Sequence, residues 1–158
     1  MDFAIAYRED LGAFDLVVSG ETFASTATLD TAIALSLLLD ARAADDDPID
    51  GDQRFGQTDR RGWWGDAFQA LAGDGYGSRL WQFHRAKLTD DTVADLRLAV
   101  SASLEWVVDR AIARSVSVDV ERSASPGRLD VTIVVTRNDS VPVEYSYVWD
   151  AIEGRLLG

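Results

Sequence analysis

The last third of the chain alternates apolar and polar residues with a period of two. Val116, Val118 and Val120 fall on one face, with Ser117, Asp119 and Glu121 on the other. Leu129, Val131, Ile133 and Val135 then alternate with Asp130, Thr132 and Thr136, and Val143, Tyr145, Tyr147 and Trp149 with Glu144, Ser146 and Asp150. Successive side chains of a strand point to opposite faces, so each run predicts a strand with one apolar side. Ser125-Pro126-Gly127 and Asn138-Asp139-Ser140 supply tight turns between them, giving a three-stranded antiparallel meander. Upstream the spacing becomes helical. Val93, Leu96, Val100, Leu104, Val107 and Ala111 recur at steps of three and four. Thr89 precedes them as a hydroxyl cap, and Asp90 and Asp91 oppose the helix dipole, so a helix is predicted from Thr89 to about Ala113. Leu29, Ile33 and Leu37, among many Ala and Leu residues, predict a central, heavily buried helix over 29–42, with Ser25, Thr26 and Thr28 offering cap hydroxyls. At the N-terminus, residues 3–7 and 14–18 alternate around Asp10-Leu11-Gly12 and predict a short β-hairpin whose second strand ends at Gly20-Glu21.

The apolar face of the meander needs cover, and the two helices provide it. The expected fold is α+β: a C-terminal three-stranded antiparallel meander packed against two main helices, with a short N-terminal β-hairpin, read as one domain over residues 1–158. The helices are separated by a long Trp/Gly-rich loop over 43–77. It begins with an acidic, Pro-broken stretch over 43–52, expected to be exposed, and allows a short helical turn over 65–72. Residues 80–88 read equally well as strand or helix. Irregular connections this long inside a compact domain are uncommon and usually functional. This one carries Arg60-Arg61-Gly62-Trp63-Trp64-Gly65-Asp66 and then Gly77-Ser78-Arg79-Leu80-Trp81. Tryptophan brings a large buriable surface and arginine a forked donor set, so a loop rich in both is either packed into the centre of the fold or presented to a partner.

Composition narrows the chemistry. The 158 residues are 47% hydrophobic and 27% charged, which fits a folded domain rather than a disordered chain. A net charge of −12 argues against nucleic acid and against an anionic membrane surface as partners. With no cysteine and a single histidine, His84, thiol chemistry, disulfides and multi-His metal sites are excluded. The N-terminus shows no basic region followed by an apolar one, and the longest apolar run, over 32–39, is too short to span a bilayer; a soluble protein made in a cytoplasm is expected. The acidic loop fails as an EF-hand, because aligning Gly51 as the turn glycine puts Pro48 and Gln57 at ligand positions. The glycine run over 73–78 lacks the Gly-Lys-Ser/Thr of a P-loop. Asp59, Asp66, Glu105 and Asp109 are candidate carboxylates for a hydrolase, with the tryptophans as sugar-stacking surfaces, but no spacing selects one to stay protonated. No catalytic, cofactor or metal residue is therefore assigned. Arg79, His84, Arg85 and Lys87 form the one basic cluster of note, a solvated face or a contact for an acidic partner.

The string Asp59-Arg60-Arg61-Gly62-Trp63-Trp64-Gly65-Asp66, then Gly77-Ser78-Arg79-Leu80-Trp81, then Arg85-Ala86-Lys87-Leu88-Thr89, resembles the signature of the Mu-like phage baseplate proteins, which are wedge components of contractile tails related to the T-even "lysozyme-like" wedge protein. The likeness extends to Leu104-Glu105-Trp106-Val107-Val108-Asp109 and to the closing Tyr145-Ser146-Tyr147-Val148-Trp149, and is weakest before Leu29 and over 43–57. The resemblance implies a non-enzymatic structural part of a tail baseplate, present in several copies in the virion and assembled in the host bacterial cytoplasm. Its implied partners are other wedge proteins and the tail sheath or tube, joined by strand addition to the meander's outer strand. The Glu-Pro-Arg tripeptide of the T-even side of the family is absent, so its contact role transfers to no residue here. The partner-binding candidates are Arg60, Arg61, Trp63, Trp64, Asp66, Arg79, Trp81, Arg85 and Lys87. Within that set, one or more of Trp63, Trp64 and Trp81 is expected to pack against the helices, while Arg60 and Arg61 brace the loop on acids or face the partner.

Overall fold

The computed structural model describes residues 2–26, 28–47, 60–68, 75–138 and 140–158. At the N-terminus, strand β1 (Asp2–Phe3) leads into the predicted hairpin of β2 (Ile5–Arg8) and β3 (Ala13–Leu16), paired with Ile5 opposite Leu16 and Arg8 opposite Ala13. The chain does not leave strand structure at Gly20. That residue takes a positive φ of 65° in the turn of a second hairpin, β4 (Val18–Ser19) with β5 (Thr22–Phe23), and β6 (Ser25–Thr26) returns to pair with β1. Ser25 and Thr26 therefore belong to a strand.

Helix α1 (Asp30–Leu38) starts behind Leu29, whose side chain makes no cap bond, and it is shorter than the predicted 29–42. Leu39 is already extended. The reason is Ser78: its hydroxyl donates to the Leu37 carbonyl at 2.8 Å, its N–H to Leu39 O at 2.9 Å, and its carbonyl accepts from Ala41 N at 2.9 Å. A helix end has free carbonyls to satisfy, and here a distant segment meets them and draws the chain off as a short parallel bridge. The expectation of burial holds, since Ile33, Ala34, Ser36 and Leu37 are all closed to solvent.

Helix α2 (Asp90–Ser103) has the predicted cap, Thr89 Oγ1 accepting from Thr92 N at 3.2 Å. It does not run unbroken to Ala113. The fully buried Leu104 interrupts it at φ −113°, ψ 0°, and α3 (Glu105–Asp109) resumes for about one turn before Ala111, at φ 54°, swings the chain into the sheet.

The C-terminal meander is β7 (Ser115–Arg122), β8 (Arg128–Thr136) and β9 (Val143–Asp150), extended by a fourth strand, β10 (Arg155–Leu157), that the alternation alone does not reveal. The order is β10-β9-β8-β7, antiparallel throughout, with Ser115 opposite Thr136, Val131 opposite Tyr147 and Leu156 opposite Trp149. The turn into β10 is built by Asp150. Its Oδ1 accepts from the N–H groups of Ile152 and Glu153, each at 3.0 Å, and its Oδ2 from Arg128 Nε at 3.0 Å. Burial is the strongest single influence on this carboxyl and pushes its pKa up. The Glu153 N–H, Arg128 and the Ile152 N–H together outweigh burial and hold it below the usual carboxylate range.

One core joins these layers. Ile33 and Leu37 of α1, with Leu96, Val100 and Val107 of α2 and α3, pack on Leu129, Val131 and Ile133 of the central strand and on Tyr147 and Trp149 beside it. The N-terminal hairpins dock on the same body through Phe14, 6.1 Å from the Tyr147 ring, and through Thr31 Oγ1, which donates to Phe3 O at 2.7 Å and accepts from Ile5 N at 3.3 Å. No helix among the described residues is long and apolar enough to cross a membrane.

Candidate functional site

The connection between α1 and α2 divides its aromatic residues between core and surface. Trp81 lies on a 3-10 turn (Leu80–Phe83), is only 7% exposed, and donates its indole N–H to Ala41 O at 2.9 Å. Arg61 stacks over its ring with Cζ 5.1 Å from the centroid, and bonds Asp40 Oδ2 at 2.8 Å. Trp63 is half-buried and meets the Tyr76 ring edge-on at 5.8 Å. Gly65 lies beneath the Trp63 ring so closely that a Cβ there would collide with it, which explains a glycine between Trp64 and Asp66. Asp66 fastens the two ends of the loop, its Oδ1 accepting from Tyr76 N at 3.0 Å. Trp64 and Phe68 lie on a second 3-10 turn (Trp64–Phe68), face each other at 6.1 Å, and are 75% and 80% exposed. Together with the Trp63 ring, 5.6 Å from Trp64, they form an outward aromatic step.

The arginines of the segment are mostly committed to the fold. Arg60 donates to the carbonyls of Ala44 and, at 2.7 Å, Asp45. Arg79 bonds Asp47 Oδ2 at 2.8 Å, and this bond, with the Ala44 N–H, holds the Asp47 carboxyl below its ordinary pKa. Arg85 and Lys87 are exposed and form no ion pair among the described residues. His84 ends the Leu80–Phe83 turn and packs against the turn before β10, its Nε2 3.2 Å from Ile152 O.

Of the carboxylates considered for hydrolysis, Asp66 serves the Tyr76 N–H, Glu105 and Asp109 sit exposed at the two ends of α3, and Asp59 lies outside the described residues. So do the second half of the acidic loop, 48–52, and Gly73 and Asp74 of the glycine run. No group of three or more acidic or histidine residues able to hold a metal ion occurs among the described residues.

A second feature, the open edge of β7, is visible only once the sheet is assembled. The bond from Ser123 N to Arg128 O fixes the phase of the β7–β8 ladder, so Ser117, Asp119 and Glu121 turn their backbone groups inward while Val116, Val118 and Val120 turn theirs outward. Arg97 of α2 wraps this edge, reaching Val120 O at 3.1 Å and Asp119 Oδ1 at 3.0 Å. The backbone groups of Val116 and Val118 have no partner among the described residues. The opposite edge of the meander, β9, is covered by β10.

Sequence comparison assigns this arrangement to a family. The model described as phage protein GP46 matches residues 29–142, from the start of α1 to the turn before β9. The chain belongs to the phage GP46 protein family. It is 32% identical over 146 residues to the baseplate protein gp46 of Escherichia phage Mu, covering 92% of this chain and 94% of that protein. It is 34% identical over 119 residues to the Mu-like prophage FluMu protein gp46 of Haemophilus influenzae, covering 74% and 73% of the two. The resemblance carried by the Arg-Arg-Gly-Trp-Trp-Gly-Asp string is thereby established, and in this GP46-family member the string's arginines close onto the segment that follows α1, through Asp40, Ala44 and Asp45, while Trp64 stays exposed.

Proposed function

We propose that this GP46-family protein is a structural component of the baseplate of a contractile phage tail or tail-like particle, where several copies join other wedge proteins to the sheath or tube. The observation that carries the reading is the likeness, over nearly the whole of both chains, to a protein named for the baseplate of phage Mu. Two surfaces suit the role. The aromatic step of Trp64 and Phe68 offers the rigid, large side chains that dominate protein interfaces. The outward backbone groups of Val116 and Val118 can take a strand from a neighbour, main-chain bonds supplying affinity. Arg85 and Lys87 are free to meet an acidic surface, whereas Arg60, Arg61 and Arg79 act by shaping the loop.

Deleting the gene from the phage or prophage that carries it tests the proposal. The expected result is loss of assembled, contractile tails, restored by the gene in trans; normal infectious tails without it would refute the baseplate role.

A further inference from the structure

The Leu80–Phe83 turn hands the chain on through a β-turn. Ala86 N donates to Phe83 O at 3.1 Å, His84 lies at φ −61°, ψ 124°, and Arg85 at φ 60°. This is the pattern of a type II turn, whose third residue needs a positive φ and is ordinarily Gly or Asn. Contacts with the turn before β10 hold the conformation in place: Arg85 N donates to Ala151 O at 2.7 Å, and His84 Nε2 lies 3.2 Å from Ile152 O. An arginine at this position meets a steric cost that glycine avoids, because its Cβ crowds the carbonyl that follows.

Among the described residues, the non-glycine positions with positive φ are Arg61, Arg85 and Ala111. Arg61 offsets the cost with its own side chain, which bonds Asp40 and stacks on Trp81. Ala111 presents only a methyl group. The Arg85 side chain is exposed and has no hydrogen-bond or ionic partner among the described residues. A strained residue whose side chain serves nothing within the fold points to a use outside it.

The surroundings indicate what that use is. Exposure alternates over 85–88, with Arg85 and Lys87 exposed and Ala86 and Leu88 half-buried, so two cations without ion pairs share one outward side. Nucleic acid and an anionic membrane carry their charge over extended lengths and would meet the rest of a chain whose net charge is −12. The complement is local: carboxylates on a protein surface, which the guanidinium fork can bind bidentately.

We propose that Arg85 is an interface residue that docks, with Lys87, on carboxylates of another protein of the tail, and that this contact is why an arginine occupies a glycine position. The proposal rests on the baseplate reading and names a contact within it.

The test complements the gene deletion with Arg85→Gly. The purified variant is expected to melt within about 2 °C of the wild-type temperature or above it, relief of strain offsetting the looser unfolded chain. Assembled tails are nevertheless expected to fall by about tenfold or more. Revertants of Arg85→Glu that map outside position 85 are expected to replace an acidic residue of another tail protein by a neutral or basic one. The outcomes separate the two readings. Normal tails without the gene would refute both. If tails are lost on deletion but Arg85→Gly restores them to wild-type yield, the interface is refuted and the baseplate role stands. A larger drop in the Arg85→Gly melting temperature would assign Arg85 to the fold, and revertants confined to this gene would assign its partner to the same chain or a second copy; either result overturns the proposal.

Discussion

Trp81 and Trp64 differ more in surroundings than in anything their neighbours in sequence display. One is 7% exposed with its N–H bonded to Ala41 O, the other 75% exposed against Phe68 alone of the surface aromatics beyond Trp63. Truncating a buried tryptophan leaves a cavity and an unanswered carbonyl, so Trp81→Ala is expected to cost about 3–5 kcal/mol. Trp64→Ala removes a side chain that mostly meets solvent and should change stability by no more than about 0.5 kcal/mol. Urea melts of the two variants check both values. If Trp64 serves a partner, its variant folds normally and fails to enter tails. The sequence shows that a segment with these residues is either core or interface, and that Arg60 and Arg61 would brace it or face outward. It does not apportion the roles, because Trp81 is buried by a contact 40 residues away in the chain. Arg61 is similar: it meets Asp40 across 21 residues.

Elements whose information is local are legible, and those decided by distant partners are not. The Thr89 cap and the alternation over 116–149 predict α2 and the meander because capping and pleat are short-range rules. The end of α1 is set by Ser78, and β10 by the Asp150 turn; neither leaves a periodic trace. The consequence for function lies at the sheet edge. With β9 covered by the three-residue β10, the longer edge of the sheet is β7, eight residues, and its open stretch is the part around Val116 and Val118 that Arg97 leaves free. Val118→Pro deletes an outward N–H and leaves the ladder bonds to β8 in place, a substitution tolerated on edge strands. Some stability is lost with the half-buried side chain, about 1 kcal/mol. Val118→Ala shares that loss but keeps the N–H. Tails assembled with Val118→Ala and not with Val118→Pro, at equal expression and with cooperative melting in both, are expected. Equal assembly would exclude augmentation at this edge.

At the scale of the whole molecule, stability is bounded on both sides of neutrality by groups with opposite shifts. Asp150 and Asp47 are held below the ordinary carboxylate range by the bonds described above. Their native forms bind protons less readily than the unfolded chain, whose aspartates titrate near about 4. The stabilisation is whole above that pH and is lost as pH falls through the lower native values. Tyr147 behaves in reverse. Burial, with smaller contributions from Tyr145 and Asp30, pushes its hydroxyl from 10.0 up to about 12. Tyr145 is raised as well, by burial first and then by Asp30. Here the native state keeps the proton longer than the unfolded one. The contribution is complete below about pH 10 and disappears as pH rises towards 12. Urea midpoints measured across pH should therefore fall on both limbs. Tyr147→Phe cannot ionise, so it should flatten the alkaline limb and leave the acid limb unchanged. Asp150→Asn should act in the opposite sense. It costs about 1–3 kcal/mol at neutral pH, because an amide cannot answer Arg128 and both turn N–H groups as the carboxylate does, and it shallows the acid limb. An alkaline limb unaltered in Tyr147→Phe would place the base sensitivity in another group.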